Sequence, residues 1–207
     1  MNIGIVGSGN IGATAARLFA EAGHEVAVSN SRGPETLEGL VADIGPRARA
    51  STVEEAADFG EVVLVAIPFF AYEALPTDLL AGKTVVDAMN YYPGRDGDMN
   101  LDGLGSSELL ARHLPDARIV KAINTMYYET LGTEGRPDAP PAERLVLFVA
   151  GDDAEAKAVV SGLIEKTGFA RVDVGTLEDG RKQQPGFPIY NAPMNEAQAR
   201  EELAETA

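Results

Sequence analysis

Short runs of β-branched residues alternate along this chain with alanine-rich stretches whose apolar positions recur at helical spacing. This rhythm predicts βαβ units and a mostly parallel sheet, since each crossover helix returns the next strand in the same direction. Strands are predicted at 3–6, 25–29, 48–50, 62–67, 84–87, 119–123, 145–150 and 172–174. The run at 61–67 is unbroken and apolar after Glu61, as expected of a central strand covered on both faces. Ile11, Ala15, Leu18, Phe19 and Ala22 form one stripe of a first helix that stops at Gly23. Ser51 with Glu54 reads as a capping box before a helix at 53–59, and Asp152 with Glu155 as another before 154–167. Further helices are expected at 107–113 and from Asn195 to about Glu205, the last heavily charged and weakly held. The stretches 91–105 and 132–141 are rich in Gly, Pro or Asp and read as loops.

At 207 residues and 45 % hydrophobic, the chain fits one large α/β domain, 1–207, with a charged tail from about 191. No apolar run reaches the roughly 18 residues of a membrane span. Strand-like sequence begins at Asn2 with no basic or cleavable apolar segment before it, so a cytoplasmic protein is expected. With no cysteine, disulfides, thiolate metal sites and cysteine nucleophiles are excluded. The net charge of −15 argues against nucleic acid or an anionic membrane as partner. An anionic cofactor stays admissible, because a helix N-terminus and one or two arginines supply local positive potential. His24 and His113 have no metal-like spacing, and no metal is expected.

Gly7-Ser8-Gly9-Asn10-Ile11-Gly12 matches G-x-G-x-x-G. In a chain with 22 glycines the bare pattern says little. Its position, directly after the first strand and opening the first helix, is what gives it meaning. Gly7 allows the tight turn, Gly9 lets backbone amides approach a diphosphate, and Gly12 lets the helix pack on the sheet. This is the signature of a Rossmann fold that binds a dinucleotide. The second strand runs out into Asn30-Ser31-Arg32 with no carboxylate where NAD-selective domains place one. A hydroxyl and a guanidinium suit a 2′-phosphate, so NADP(H) is expected.

The stretches 2–12 (NIGIVGSGNIG), 22–26 (AGHEV), 30–32 (NSR), 66–68 (AIP), 121–125 (KAINT) and 148–153 (FVAGDD) resemble the NADPH-dependent reductases of the deazaflavin coenzyme F-420. The same superfamily holds the cytosolic domain of the STEAP metalloreductases and the N-terminal domain of pyrroline-5-carboxylate reductase. The resemblance implies an eight-stranded, doubly wound Rossmann sheet, a homodimer, and hydride passing directly between nicotinamide and a stacked deazaflavin or flavin. It implies diphosphate contacts at Ser8, Gly9, Asn10 and Ile11, and 2′-phosphate contacts at Ser31 and Arg32. Ala66, Ile67 and Pro68 would line the cofactor's path, and Ala122, Ile123 and Asn124 would border the nicotinamide. Phe69 stands where that family's pattern has tryptophan, and Asn124 where some members carry histidine. The tail at 180–190 looks more like that of shorter relatives, which leaves the acceptor open. Relatives such as the β-hydroxyacid dehydrogenases add a long helical domain, for which this chain has no room, so no separate C-terminal helical domain is expected.

The acceptor pocket is expected outside the strand ends. Phe69, Phe70, Met89, Asn90, Asn124, Thr125 and Met126 are its candidates, and ordinary core or dimer packing is the alternative for Phe69, Phe70 and Met126. Tyr91, Tyr92, Tyr127 and Tyr128 form either an aromatic wall for a flat ring or an interface. His24 is expected to be structural, His113 a helix C-terminal cation, and Lys121 structural or electrostatic rather than catalytic. Two readings of another kind stay open: a redox sensor that binds NADP(H) without turnover, and a reductase of imines or carbonyls. The latter needs a proton donor, for which Tyr91, Tyr127 or a water are candidates.

Overall fold

Eight strands align in one sheet in the computed structural model, which describes residues 1–205. They are β1 (Asn2–Val6), β2 (Glu25–Ser29), β3 (Ala48–Ser51), β4 (Val62–Val65), β5 (Thr84–Asp87), β6 (Arg118–Ala122), β7 (Val146–Gly151) and β8 (Ala170–Gly175). Their order is β3-β2-β1-β4-β5-β6-β7-β8. All neighbours are parallel except β6 and β7, so β7 and β8 run against the rest. This is the doubly wound Rossmann arrangement. The chain leaves β1 toward β2 on one side and resumes with β4 on the other, which opens a crevice at the carboxyl ends of β1 and β4.

Alternation along the strands splits the core between the two faces. Ile3, Ile5, Val62, Leu64 and Val86 pack on one side with Ala15, Ala16 and Phe19. Val6, Val63, Val65 and Val85 pack on the other with Leu80 and Leu110. The covering helices are α1 (Asn10–Glu21), α2 (Glu38–Ile44), α3 (Val53–Phe59), α4 (Thr77–Leu80), α5 (Pro93–Asp96), α6 (Ser106–His113), α7 (Tyr128–Thr133), α8 (Ala154–Lys166) and α9 (Glu196–Glu205). Two expected caps sit one residue later than the pattern suggested. Ser51 is the last residue of β3, paired with Ser29, and Thr52 makes the capping box with Glu55. Asp153 caps α8 through the Ala156 N–H, while the Asp152 carboxylate accepts from the Leu177 N–H.

The apolar run after Glu61 ends as strand at Val65, and residues 66–68 turn away to line the crevice. The expected loop at 91–105 contains α5, and α7 runs to Thr133, inside the other expected loop. The weakly held last helix is anchored: Ala199 is fully buried against Val146, Phe148 and Val172, and the half-buried Met194 and Leu203 pack beside it. The expected single domain extends through residues 206 and 207, which lie outside the described residues. No helix among the described residues is long and apolar enough to cross a membrane.

Candidate cofactor and acceptor site

The turn from β1 into α1 has the backbone that the glycine spacing requires. Gly7 sits at φ +109°, and its N–H donates to the Ser29 carbonyl at 3.0 Å. A Cβ at Gly7 would overlap the Ala66 carbonyl, and one at Gly12 would overlap the Gly7 carbonyl. A Cβ at Gly9 would meet nothing within 4 Å. Gly7 and Gly12 are therefore needed by the fold itself, whereas Gly9 borders open space. The first amides of α1 have no intrahelical partner and lie at the positive end of the helix. A diphosphate fits this cradle, and a side chain at Gly9 would fill it.

Asn30 ties the end of β2 to that turn. Its Nδ2 donates to Ser8 Oγ at 3.1 Å and to Thr36 Oγ1 at 3.0 Å, and its Oδ1 accepts from the Arg32 N–H at 2.8 Å. Ser31 and Arg32 are exposed, and among the described residues no ion pair engages Arg32. The carboxylate of Glu35 lies against Gly33, within 2.6 Å of where a Cβ would stand.

A groove of about 360 Å³ continues from the glycine turn across the sheet ends. Gly9, Asn10, Ile11, Ala66, Ile67 and Pro68 form one side. Ala88, Met89, Asn90, Asn124 and Met126 form the floor, and Tyr92, Arg95, Tyr127, Tyr128, Tyr190 and Asn191 the far wall. Thirteen of the candidate site residues thus meet in one place: Gly9, Asn10, Ile11, Ala66, Ile67, Pro68, Met89, Asn90, Asn124 and Met126, with Tyr92, Tyr127 and Tyr128 of the possible aromatic wall.

Several others lie elsewhere. Phe69, expected at the acceptor, is fully buried in the core and stacks on Tyr72 at 4.9 Å. The turn after Pro68 points it inward and leaves Phe70 outside, 55 % exposed and off the groove. Ala122 is buried on the α1 side of the sheet with Ile123. Thr125 is buried and offers its carbonyl to the Asn191 N–H at 2.8 Å. Tyr91 packs edge-on against Phe69, and its hydroxyl donates to the Gly97 carbonyl.

Arg95, Tyr190 and Asn191 escaped sequence reasoning. They come from the segment read as loop and from the far C-terminal stretch, which no local pattern connects to the strand ends. The Tyr92 and Tyr190 hydroxyls hydrogen-bond to each other. Burial first, and then that bond, raises the Tyr190 pKa. Tyr128 is pushed up to about 12, chiefly by its hydrogen bond with Tyr127. Both phenols stay protonated at neutral pH, which makes the far wall aromatic and uncharged apart from Arg95. That guanidinium is held by Asp96 at 2.8 Å and donates to the Asn90 carbonyl at 2.7 Å.

Asn90 and Asn124 hold each other beneath the groove. Asn90 Nδ2 donates to the Asn124 carbonyl at 2.9 Å, and Asn124 Nδ2 donates to Asn90 Oδ1 at 3.0 Å. Asn124 Nδ2 also reaches the Gln183 carbonyl at 2.8 Å, and its Oδ1 accepts from Gln183 Nε2 at 3.2 Å. Asn124 has spent both donors within the protein, whereas Asn90 keeps one N–H for a ligand. Neither histidine lines the groove. His24 is buried, meets the N-terminal amine at 3.3 Å, and has its pKa lowered mainly by burial. His113 ends α6 and packs edge-on against Tyr72. No metal-binding group of His, Asp and Glu exists among the described residues.

The family model described as "NADP oxidoreductase coenzyme F420-dependent" matches residues 2–91, the span that carries the glycine turn and the first groove wall. Over that span the chain belongs to this family of NADP-dependent oxidoreductases. It is 32 % identical over 193 residues to the rat protein named Metalloreductase STEAP3, covering 92 % of this chain and 37 % of that one. The chain thus spans little more than a third of that relative. The crystal structure of the hypothetical protein SMa0349 from Sinorhizobium meliloti is 32 % identical, covers 95 % of both chains and superposes with a TM-score of 0.82. A structure from Arthrobacter sp. FB24, titled a "putative f420 dependent nadp-reductase", is 27 % identical over 87 % of both chains, with a TM-score of 0.73.

Proposed function

We propose that this family member binds NADP(H) along the glycine turn and transfers a hydride between it and a small planar acceptor. That acceptor is a deazaflavin such as coenzyme F-420, a flavin, or another flat molecule of that size. The observation that carries this reading is the continuity of the groove, from the open amides of the turn to the tyrosine wall. Bound there, the dinucleotide supplies a hydride donor or acceptor. The amides of Asn10, Ile11 and Gly12 grip its diphosphate, and Ser31 with Arg32 hold the 2′-phosphate. Ala66, Ile67 and Pro68 guide the chain of the cofactor, and Met89, Asn90 and Met126 form the floor under its ring. The neutral tyrosines give a flat partner something to stack on. Hydride transfer between stacked rings asks for alignment more than acid or base, which suits a groove without a charged dyad.

The Tyr92–Tyr190 hydroxyl pair favours a second reading, reduction of a carbonyl or imine. A protonated phenol facing the groove could deliver the proton that such a product needs. We also infer a homodimer, supported by the exposed Phe70 and Tyr127; light scattering tests it.

The experiment is NADPH oxidation, followed by absorbance, with coenzyme F-420, free flavins, ferric chelates and small cyclic imines. Turnover with a deazaflavin or flavin supports the main reading, and turnover with imines alone moves it to the second. Tight NADPH binding without turnover on any of them would make the protein a sensor.

A further inference from the structure

Beneath the groove lies a buried ion pair that the proposed chemistry does not use. Asp87 ends β5 and Lys121 stands directly opposite it on β6. Their side chains are 0 % and 1 % exposed, with Nζ 3.6 Å from Asp87 Oδ2. Taking two charges out of water into a sheet is costly before their attraction is counted, so a fold that needed only packing would gain little from them. What they touch indicates their use. Asp87 Oδ1 accepts from the Met89 N–H at 2.9 Å, and Lys121 Nζ donates to the Met89 carbonyl at 3.2 Å. Both main-chain groups of one residue are thus fixed by the two members of one pair. The Ser107 hydroxyl donates to Asp87 Oδ2 at 2.6 Å and anchors the carboxylate to α6.

Met89 is the middle of the floor segment Ala88, Met89 and Asn90, where the strand has ended: the Ala88 N–H still donates to the Val65 carbonyl at 3.0 Å, but among the described residues no ladder bond holds Met89 itself. We propose that Asp87 and Lys121 are positioning residues that set the height and tilt of the groove floor. Through it they align the nicotinamide with its acceptor. This inference rests on the groove being the nicotinamide site. It explains why a lysine stands in the 121–125 motif without reaching the ligand: its ammonium acts on a backbone carbonyl from below. The pair does not touch the glycine turn, so it governs the ring end of the cofactor and leaves the diphosphate end alone.

The test compares the parent with Lys121→Met and with the uncharged double variant Asp87→Asn/Lys121→Met, which leaves no lone buried charge. Thermal melting reports folding, calorimetry the NADPH Kd, and fluorescence of bound NADPH the surroundings of its nicotinamide. Steady-state rates use whichever acceptor the parent reduces. In the folded double variant the Kd should stay within about threefold, while kcat falls about tenfold to a hundredfold, as a misplacement of about 1 Å can cause. The bound-NADPH emission should move toward that of the free cofactor. Unchanged emission and kcat in a folded double variant would overturn the proposal, as would a Kd that rises as steeply as kcat falls. If the parent itself retains no NADPH, the site reading fails and takes this inference with it. A parent that binds, beside a variant indistinguishable from it, sinks the inference alone.

Discussion

The three motif glycines carry separable burdens, and substitution should separate them. Gly12→Ala drives a methyl group into the Gly7 carbonyl, a backbone atom that cannot step aside. It should cost roughly 1–3 kcal/mol of stability, read by chemical denaturation. Gly9→Ala adds its methyl group to open space. It should melt like the parent yet bind NADPH at least about tenfold more weakly, a loss of about 1.4 kcal/mol. Equal melting and equal affinity would remove the diphosphate from this turn. Arg32→Ala should weaken NADPH by about 1.5–3 kcal/mol while barely changing NADH, because only the former carries a 2′-phosphate. Calorimetry showing equal losses would refute the role of that guanidinium. Glu35→Gln, which removes the carboxylate lying against Gly33, should move NADPH affinity the other way.

At the scale of elements, the far wall depends on how the C-terminal stretch is tied down. Arg181, in the helical turn Asp179–Gln183, bonds the Glu108 carboxylate of α6 at 2.5 and 2.9 Å. That bond is the main cause holding the Glu108 pKa below its ordinary 4.5. A carboxyl depressed in the folded state stabilises above its unfolded pKa and loses that contribution as pH falls through the folded one. The tie should therefore hold at neutral pH and weaken below about pH 4.5. Corrected for the intrinsic rate, which itself slows toward acid, hydrogen exchange of residues 184–191 should accelerate in that range. Glu108→Gln should show the faster exchange already at pH 7, and unchanged exchange in both cases would mean that other contacts hold the segment.

These ties also mark where sequence reading stopped. Strands and first-turn chemistry were legible, because period-two burial and glycine spacing are local signals. Two caps came out one residue early because the residue before each true cap, Ser51 and Asp152, is also a good cap former. Phe69 followed a strand end and so was placed at the site, yet a single turn after Pro68 directs it into the core and Phe70 to solvent. Arg95, on the one-turn helix α5, and Tyr190 and Asn191, in an irregular segment, reach the groove through tertiary folding of stretches too short or too irregular to carry a periodicity. Asn90 and Asn124 were found, but the pairing that spends the Asn124 donors internally was not.

For the whole molecule, the proposed reading lets an acidic surface and an anionic cofactor coexist because binding potential is local, at the N-terminal end of α1 and at the exposed Arg32. The sheet supplies the geometry: the chain's reversal beside β1 and β4 opens the crevice, and β7 and β8 turn back to deliver the segment that closes its far side. A ligand that binds the folded state alone adds about 2.7 kcal/mol of stability at a hundredfold excess over its Kd. NADPH at that excess should therefore raise the melting temperature visibly, more than NADH at equal concentration. The most direct measurement is a crystal structure of the chain grown with NADP. The account places the diphosphate on the amides of Asn10, Ile11 and Gly12, the 2′-phosphate at Arg32 and the nicotinamide above Met89 and Asn90. A cofactor lying the opposite way along the groove, or absent from it at saturating concentration, would contradict the account.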